Sequence, residues 1–167
     1  AMQGNAGAGG VMMALGADRV LMRDGVVLNP HYRTMGLYGS EYWTYTLPRR
    51  VGARTSLELT EGRLTVSARH ARDLGFLDDC FGNDIVEFEA ETVRRAEELA
   101  RHPDFRHLLE AKRERRVADE RRKPLAGYGV EELPQMSRSF FGPNPAYHEA
   151  RHRFVHKGVP AAVLQGL

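Results

Sequence analysis

GNAGAGGVMMALGADRV, residues 4–20, decides how the rest of the chain is read. Gly4 to Gly10 holds only glycine, alanine and one asparagine, and the apolar run Val11 to Ala17 follows at once. The pattern predicts a loop over 4–10 and a short buried helix from Val11 to Ala17. A loop of small residues opening a helix presents backbone N–H groups with no side chains in the way. Proteins hold an anionic or developing-anionic oxygen with such groups. Gly9 and Gly10 are the candidate donors, and the competing reading is a tight strand-to-helix turn with no ligand. No Lys-Ser or Lys-Thr follows the glycines, which excludes a Walker A loop, and Gly7 and Gly9 lack the third glycine of a dinucleotide fingerprint. So little sequence precedes the loop that a site built on it needs walls from elsewhere. The chain is therefore expected to be one half of something larger, with little or no activity alone.

Downstream, Arg19–Met22 and Val26–Asn29 read as short strands around an Arg23-Asp24-Gly25 turn. Asn29-Pro30-His31 breaks that pattern, and Gly36-Leu37-Tyr38-Gly39 is a flexible turn. Ser40 is expected to cap a helix beginning at Glu41 that Leu47-Pro48 interrupts or ends. A further helix covers Ala53 to Leu59, Ser67 opens another that Gly75 stops, and Phe76 to Phe81 reads as a strand. From Asp84 the character turns helical, with Val86, Phe88, Val93, Ala96 and Leu99 as the apolar stripe. His102-Pro103 ends that helix, and Asp104 to Lys123 is highly charged, with Arg115/Asp119 and Asp119/Lys123 at helical spacing. Pro124 to Gly129 reads as a linker and Pro145 to Lys157 as the last helix.

Two stretches besides the glycine loop carry candidate chemistry. His31 to Tyr45 gathers four tyrosines, Trp43, His31 and the carboxylate of Glu41 between glycine turns. Phenols and a carboxylate perform proton transfer when buried, and Tyr32 and Glu41 sit at breaks in regular structure, where function concentrates. Tyr42, Trp43 and Tyr45 read as core or interface aromatics. Near the end, His148-Glu149-Ala150-Arg151-His152 matches H-E-x-x-H, with His156 continuing the face. Such a helix can hold zinc, but no downstream glutamate or metzincin spacing accompanies it, and Arg151 and Arg153 crowd it with positive charge. A polar helix face without metal is the reading taken.

The composition is that of an ordinary globular protein: 167 residues, 42% hydrophobic, 28% charged, net charge +2. One domain or part of one fits that length. No run of ~18 apolar residues offers a membrane span, and no basic segment leading an apolar core reads as a signal peptide. The single cysteine, Cys80, excludes an internal disulfide framework, fits a reducing cytoplasm, and has no local basic partner to activate it. In the Asp104–Lys123 stretch acidic residues alternate with basic ones and Phe105 is the lone aromatic, which marks a solvated face and not a nucleic-acid stripe.

Three motifs in order resemble the crotonase, or enoyl-CoA hydratase/isomerase, superfamily. Ala8-Gly9-Gly10 followed by Asp18 is similar to its glycine-loop pattern, with alanine in place of the first glycine. Leu64 to Phe81, LTVSARHARDLGFLDDCF, resembles its I-S-A-x-x-A-x-x-x-G-L-V segment, and Arg153 to Lys157 its C-terminal A-F-x-E-K signature. The resemblance implies an α/β fold. Residues 1–83 would be the C-terminal part of a crotonase-like β-spiral and residues 84–167 a helical C-terminal region of the same domain. Residues 26–52 and 138–157 are more particularly similar to the family of HoxX-type hydrogenase maturation factors, which join a formyltransferase-like half to a crotonase-like half.

What that narrower resemblance implies is carbon monoxide synthesis for nickel–iron hydrogenase. A formyl group passes from formyl-tetrahydrofolate to coenzyme A, and formyl-CoA is decarbonylated. Ungapped comparison puts Met12 and Tyr32 where hydratases carry their two glutamates, so the water-adding base is replaced while the Gly9 donor is kept. On this reading Gly9 faces the thioester carbonyl, Glu41 helps move the formyl proton and Tyr32 donates a proton or hydrogen bond to the departing thiolate, the last two roles interchangeable. Tyr38 and Tyr42 shape a dry pocket, and Arg153 and Lys157 meet coenzyme A phosphates. No metal is implied. The partners implied are the missing N-terminal half and the hydrogenase assembly machinery, with exposed strand edges free to pair with a second copy. An ordinary acyl-CoA hydratase, isomerase or decarboxylase, a zinc hydrolase and a noncatalytic interaction module are the rival expectations.

Overall fold

The structure, a computed structural model, describes residues 1–62, 64–143 and 146–156. Five short strands, β1 (Ala6–Gly7), β2 (Leu21–Arg23), β3 (Val27–Asn29), β4 (Val66–Ser67) and β5 (Asp79–Phe81), are threaded with helices α1 (Ala8–Ala14), α2 (Trp43–Glu61) and α3 (Ala68–Asp73). Four helices follow: α4 (Ile85–Arg101), α5 (Phe105–Arg122), α6 (Leu125–Phe141) and α7 (Ala146–Val155). β1 runs parallel to β3 with Ala6 opposite Leu28, and β3 runs antiparallel to β4. β2 runs parallel to β5 with Met22 opposite Cys80. The strands flanking the Arg23-Asp24-Gly25 turn therefore do not pair with each other but enter different sheets. Asp24 enforces the split, because its N–H donates to the Phe81 carbonyl and its carboxylate takes the Arg69 guanidinium at 2.6 Å.

The core lies where α1 meets these strands. Val11, Met12, Met22, Leu28, Leu47 and Ala71 are essentially inaccessible to water. Alternation explains β2 and β3, each of which buries its middle residue and leaves its neighbours half-covered. Ser67 caps α3 as expected, accepting the His70 N–H, and the chain leaves that helix through Gly75 at φ 80°.

Several elements depart from expectation for identifiable reasons. The helix expected from Glu41 begins at Trp43, and Ser40 does not cap it; Tyr42 occupies the cap position in a left-handed conformation. Pro48 does not end this helix, whose break comes at Gly52, with φ 80° and ψ 162°. The expected Pro124–Gly129 linker is the start of α6, for reasons that involve Tyr42. In α4 the buried face is Phe88 with Leu99 partly covered, while Val86, Val93 and Ala96 point to solvent. The helix is anchored by Phe88 on Phe81, ring centroids 5.1 Å apart, with Arg95 over the Phe81 face at 4.0 Å. In α5 the expected pairs are replaced. Asp119 binds Arg49 of α2 at 2.5 Å and Arg122 of its own helix, and Lys123 binds Glu131. Cys80 is half-buried among β5 neighbours, and burial pushes its thiol up, away from reactivity.

Asp78 ties the N-terminal and central parts together. Its carboxylate accepts the Val20 N–H at 2.7 Å and pairs with Arg50 at 2.9 Å and Arg19 at 3.2 Å. Burial works against the charged form, but these donors outweigh it and hold the carboxyl below its ordinary value. Its contribution is accordingly complete above about pH 4 and fades as acid protonates it. Asp78→Ala is expected to cost about 2 kcal/mol at neutral pH, measured by denaturant unfolding. The gap from wild type should narrow below about pH 4.

Candidate active site

Three residues distant in sequence meet beside the glycine turn. The Tyr32 hydroxyl donates to Glu41 Oε2 at 2.9 Å, and the same oxygen accepts the Ser40 N–H at 2.8 Å. Glu41 Oε1 takes neither bond and lies against Gly9, so close that a Cβ built there would stand 2.6 Å from it. Gly9 and Gly10 stand in the first turn of α1, which has no side-chain cap, so their N–H groups have no acceptor within the helix. Ala8, at φ 43°, adopts the left-handed conformation that the glycine it replaces in the superfamily pattern would take without strain.

An aromatic wall encloses the phenol. Tyr32 is 4% exposed, its ring 6.4 Å from Trp43, and the Tyr38 ring lies 5.5 Å from Trp43, tilted 57° to it. The Trp43 indole N–H donates to the Tyr38 carbonyl at 2.9 Å, which fixes the ring as a partition. Gly39, at φ 89°, is required twice over, since a Cβ there would also stand 2.6 Å from the Tyr32 ring. Burial, then the hydrogen bond to Glu41, pushes the Tyr32 phenol far above its ordinary range, so at any ordinary pH it is a donor. Burial followed by the charge of Glu132 pushes Tyr38 up as well. Next to Tyr32, His31 is held on both ring nitrogens, by Asn29 Oδ1 and Thr34 Oγ1.

Glu41 and Tyr42 also border a cleft of about 490 Å³ between α1, α2 and α5. Met12 and Leu15 line its apolar part, and Arg49, Arg50, Lys112 and Arg116 line its basic part. Most of that positive charge is already matched, for example Lys112 by Asp18 at 2.6 Å. Met12 is buried in α1.

The other predicted residues fall as follows. Tyr42 is 39% exposed and stands against Gly129 of α6, so it borders the open cleft and not a closed pocket. Trp43 is core, and Tyr45 is an interface ring, 5.2 Å from Tyr128 and donating to Asp119. Arg153 is exposed on α7; Lys157 lies outside the described residues, as does Pro145. α7 itself rests on the turn after Tyr32, where a Cβ on Gly36 would stand 2.5 Å from the Tyr147 backbone nitrogen. In the H-E-x-x-H stretch, His148 donates to the Phe140 carbonyl, away from His152 and His156, whose rings are 4.4 Å apart. Among the described residues no group of three or more His, Cys, Asp or Glu side chains is placed to hold a metal ion.

Sequence reasoning missed Glu132. This α6 carboxylate is fully buried and accepts the N–H groups of Tyr42 at 2.7 Å and Thr44 at 2.9 Å and the Thr44 hydroxyl at 2.5 Å. It caps α2 from 90 residues away. No local signal marks it, since its partners follow no spacing that a sequence window contains.

The chain is 46% identical over 157 residues to the hydrogenase maturation factor HoxX of Bradyrhizobium diazoefficiens, covering 93% of this chain and 28% of that protein. It superposes on the crystal structure of HypX from Aquifex aeolicus in complex with tetrahydrofolic acid with TM-score 0.88 at 41% identity, over 95% of this chain and 28% of that one. An enoyl-CoA hydratase/isomerase from Pseudoalteromonas atlantica shares the fold at 20% identity, TM-score 0.79, over 95% of this chain and 61% of its own. The chain thus spans little more than a quarter of the length of its HoxX and HypX relatives and has a crotonase-like fold of mixed helix and strand. With the enoyl-CoA hydratase/isomerase family model matching residues 1–158, nearly its whole length, the chain belongs to that family.

Proposed function

We propose that this chain is the crotonase-like region of a cytoplasmic hydrogenase maturation enzyme and that its site splits formyl-CoA into carbon monoxide and coenzyme A. The observation that carries the reading is the meeting of Gly9, Glu41 and Tyr32. The residues present suit a thioester. Uncapped N–H groups at Gly9 and Gly10 polarise its carbonyl, and the free Glu41 Oε1 lies beside them. The carboxylate removes the formyl hydrogen as a proton. The C–H electron pair stays on carbon, the C–S pair leaves with sulfur, and carbon monoxide departs. The proton then returns to the thiolate, giving free coenzyme A. Tyr32, locked in its protonated form, donates hydrogen bonds and does not act as the base. Tyr38 and Trp43 exclude water, which strengthens each of these interactions.

The buried Met12 disfavours hydration, which needs a base at that place. Arg153 and Lys157 are assigned to the coenzyme A phosphates. In the complete protein a further region would load the formyl group from formyl-tetrahydrofolate, a reading supported by the HypX crystal structure in complex with tetrahydrofolic acid, and hydrogenase assembly proteins would receive the gas. The test is to give the complete protein formyl-CoA and, separately, crotonyl-CoA. Carbon monoxide and free thiol in equal amounts are expected, with no loss of the enoyl absorbance. Hydration of crotonyl-CoA without gas release would replace this reading with the ordinary hydratase.

A further inference from the structure

We infer that Glu132 is a positioning residue for the Glu41–Tyr32 pair: it holds residue 42 in a left-handed turn, and that turn delivers the Glu41 carboxylate to Gly9. The inference rests on the proposed reading in one respect, that Glu41 does the proton transfer.

Glu132 is wholly buried, and among the described residues no lysine or arginine pairs with it. Burying an unpaired carboxylate is costly, and here only the three donors of residues 42 and 44 offset that cost. As a mere helix cap it is an expensive choice. A Ser, Asn or Asp at position 42 would satisfy the same end of α2 locally.

What a local cap would not do is hold Tyr42 where it is. Tyr42 sits at φ 57° and ψ 29°, whereas cap residues ordinarily adopt extended backbone. A side chain with a Cβ persists in the left-handed region only where its surroundings over-determine it. Two contacts do so, and both come from α6. Glu132 Oε2 accepts the Tyr42 N–H, and Gly129, one turn earlier, leaves room for the ring, since a Cβ there would stand 3.0 Å from the Tyr42 hydroxyl. The reversal at residue 42 sets residue 41 off the axis of α2, so its side chain projects to Gly9 and Tyr32 and not along the first helical turn. The glycines that make Pro124 to Gly129 look like a linker are thus explained in part: Gly129 is the seat of the residue that aims the acid.

The test uses the complete protein with Glu132→Ala, Tyr42→Gly and the double variant. Turnover of formyl-CoA, coenzyme A affinity and a crystal structure of each are measured. Glu132→Ala is expected to lower kcat about 100-fold, the scale of an ångström-sized misplacement. Coenzyme A affinity should change less than about twofold, and Glu41 should swing away from Gly9 in the crystal. Adding Tyr42→Gly in that background should recover about tenfold and bring Glu41 back, because glycine takes the left-handed turn unaided. A residue with a purely structural role would give a double variant worse than either single one, and that result overturns the inference. So does Glu132→Ala with wild-type kcat. If Glu132→Ala does not fold, Glu132→Met, which fills similar space but offers the Tyr42 N–H no acceptor oxygen, takes its place with the same criteria. If wild type itself makes no carbon monoxide, the functional reading fails, and the crystallographic arm alone decides whether Glu132 places Glu41.

Discussion

Replacing Glu41 with glutamine should reduce carbon monoxide release by the complete protein about 1,000-fold while leaving its fold and coenzyme A affinity in place. Glutamine keeps an acceptor oxygen for the Tyr32 hydroxyl and the Ser40 N–H, so the turn survives. What is lost is the oxygen against Gly9, replaced by an amide with no basicity. Tyr32→Phe deletes a donor and leaves the acid, so its effect should be smaller and should fall on kcat. Gas release from formyl-CoA under saturating substrate, paired with calorimetric titration of coenzyme A, measures both quantities. Wild-type output from the Glu41→Gln protein would place the chemistry elsewhere.

Gly9→Ala is the second large effect expected, and it reverses the usual relation between stability and activity. Alanine is the better helix former, so α1 is not weakened in its first turn. The added methyl, however, meets Glu41 Oε1 at 2.6 Å and Cδ at 3.0 Å. The carboxylate must retreat by roughly 1 Å, a shift that costs about 100-fold in rate when the group is the one reacting. The expected result is a melting temperature within a few degrees of wild type and kcat down about 100-fold. Equal turnover at position 9 with either residue would remove the glycine turn from the mechanism. Gly10→Ala serves as the local control for the collision, because a Cβ at that position meets nothing within 4 Å.

Much of this architecture was readable in short windows of sequence. The Ser67 cap and the Gly75 stop are encoded within a few neighbouring residues, where capping and backbone freedom act. The first helix starts three residues before its pattern predicts: expected over Val11–Ala17 after a loop, α1 runs Ala8–Ala14, because glycine and alanine carry no side-chain signal that separates a loop from an uncapped first turn, and Gly9 and Gly10 lie inside it. The breaks around residues 30–41 marked Tyr32 and Glu41, because phenols and acids at irregular positions are seldom idle. Strand partners were not readable: whether Leu21–Arg23 pairs with Val27–Asn29 or with Asp79–Phe81 depends on contacts that no local pattern contains. The start of α2 was misplaced for the same reason, since its cap is a side chain of α6. The α4 stripe failed differently. Val86, Val93 and Ala96 are apolar yet exposed, and hydrophobicity alone does not say which face is covered.

The α7 backbone lies on Gly36 with no space for even a methyl group between them. A protein engineer who lifted residues 31–45 into a foreign scaffold would therefore import Tyr32 and Glu41 and lose their aim. One end of that segment is braced by α6 through Glu132 and the other by α7 through Tyr147, both more than 80 residues downstream. The smallest transplantable unit is a discontinuous one: the glycine turn, the tyrosine-rich stretch and both late helices, moved together or not at all.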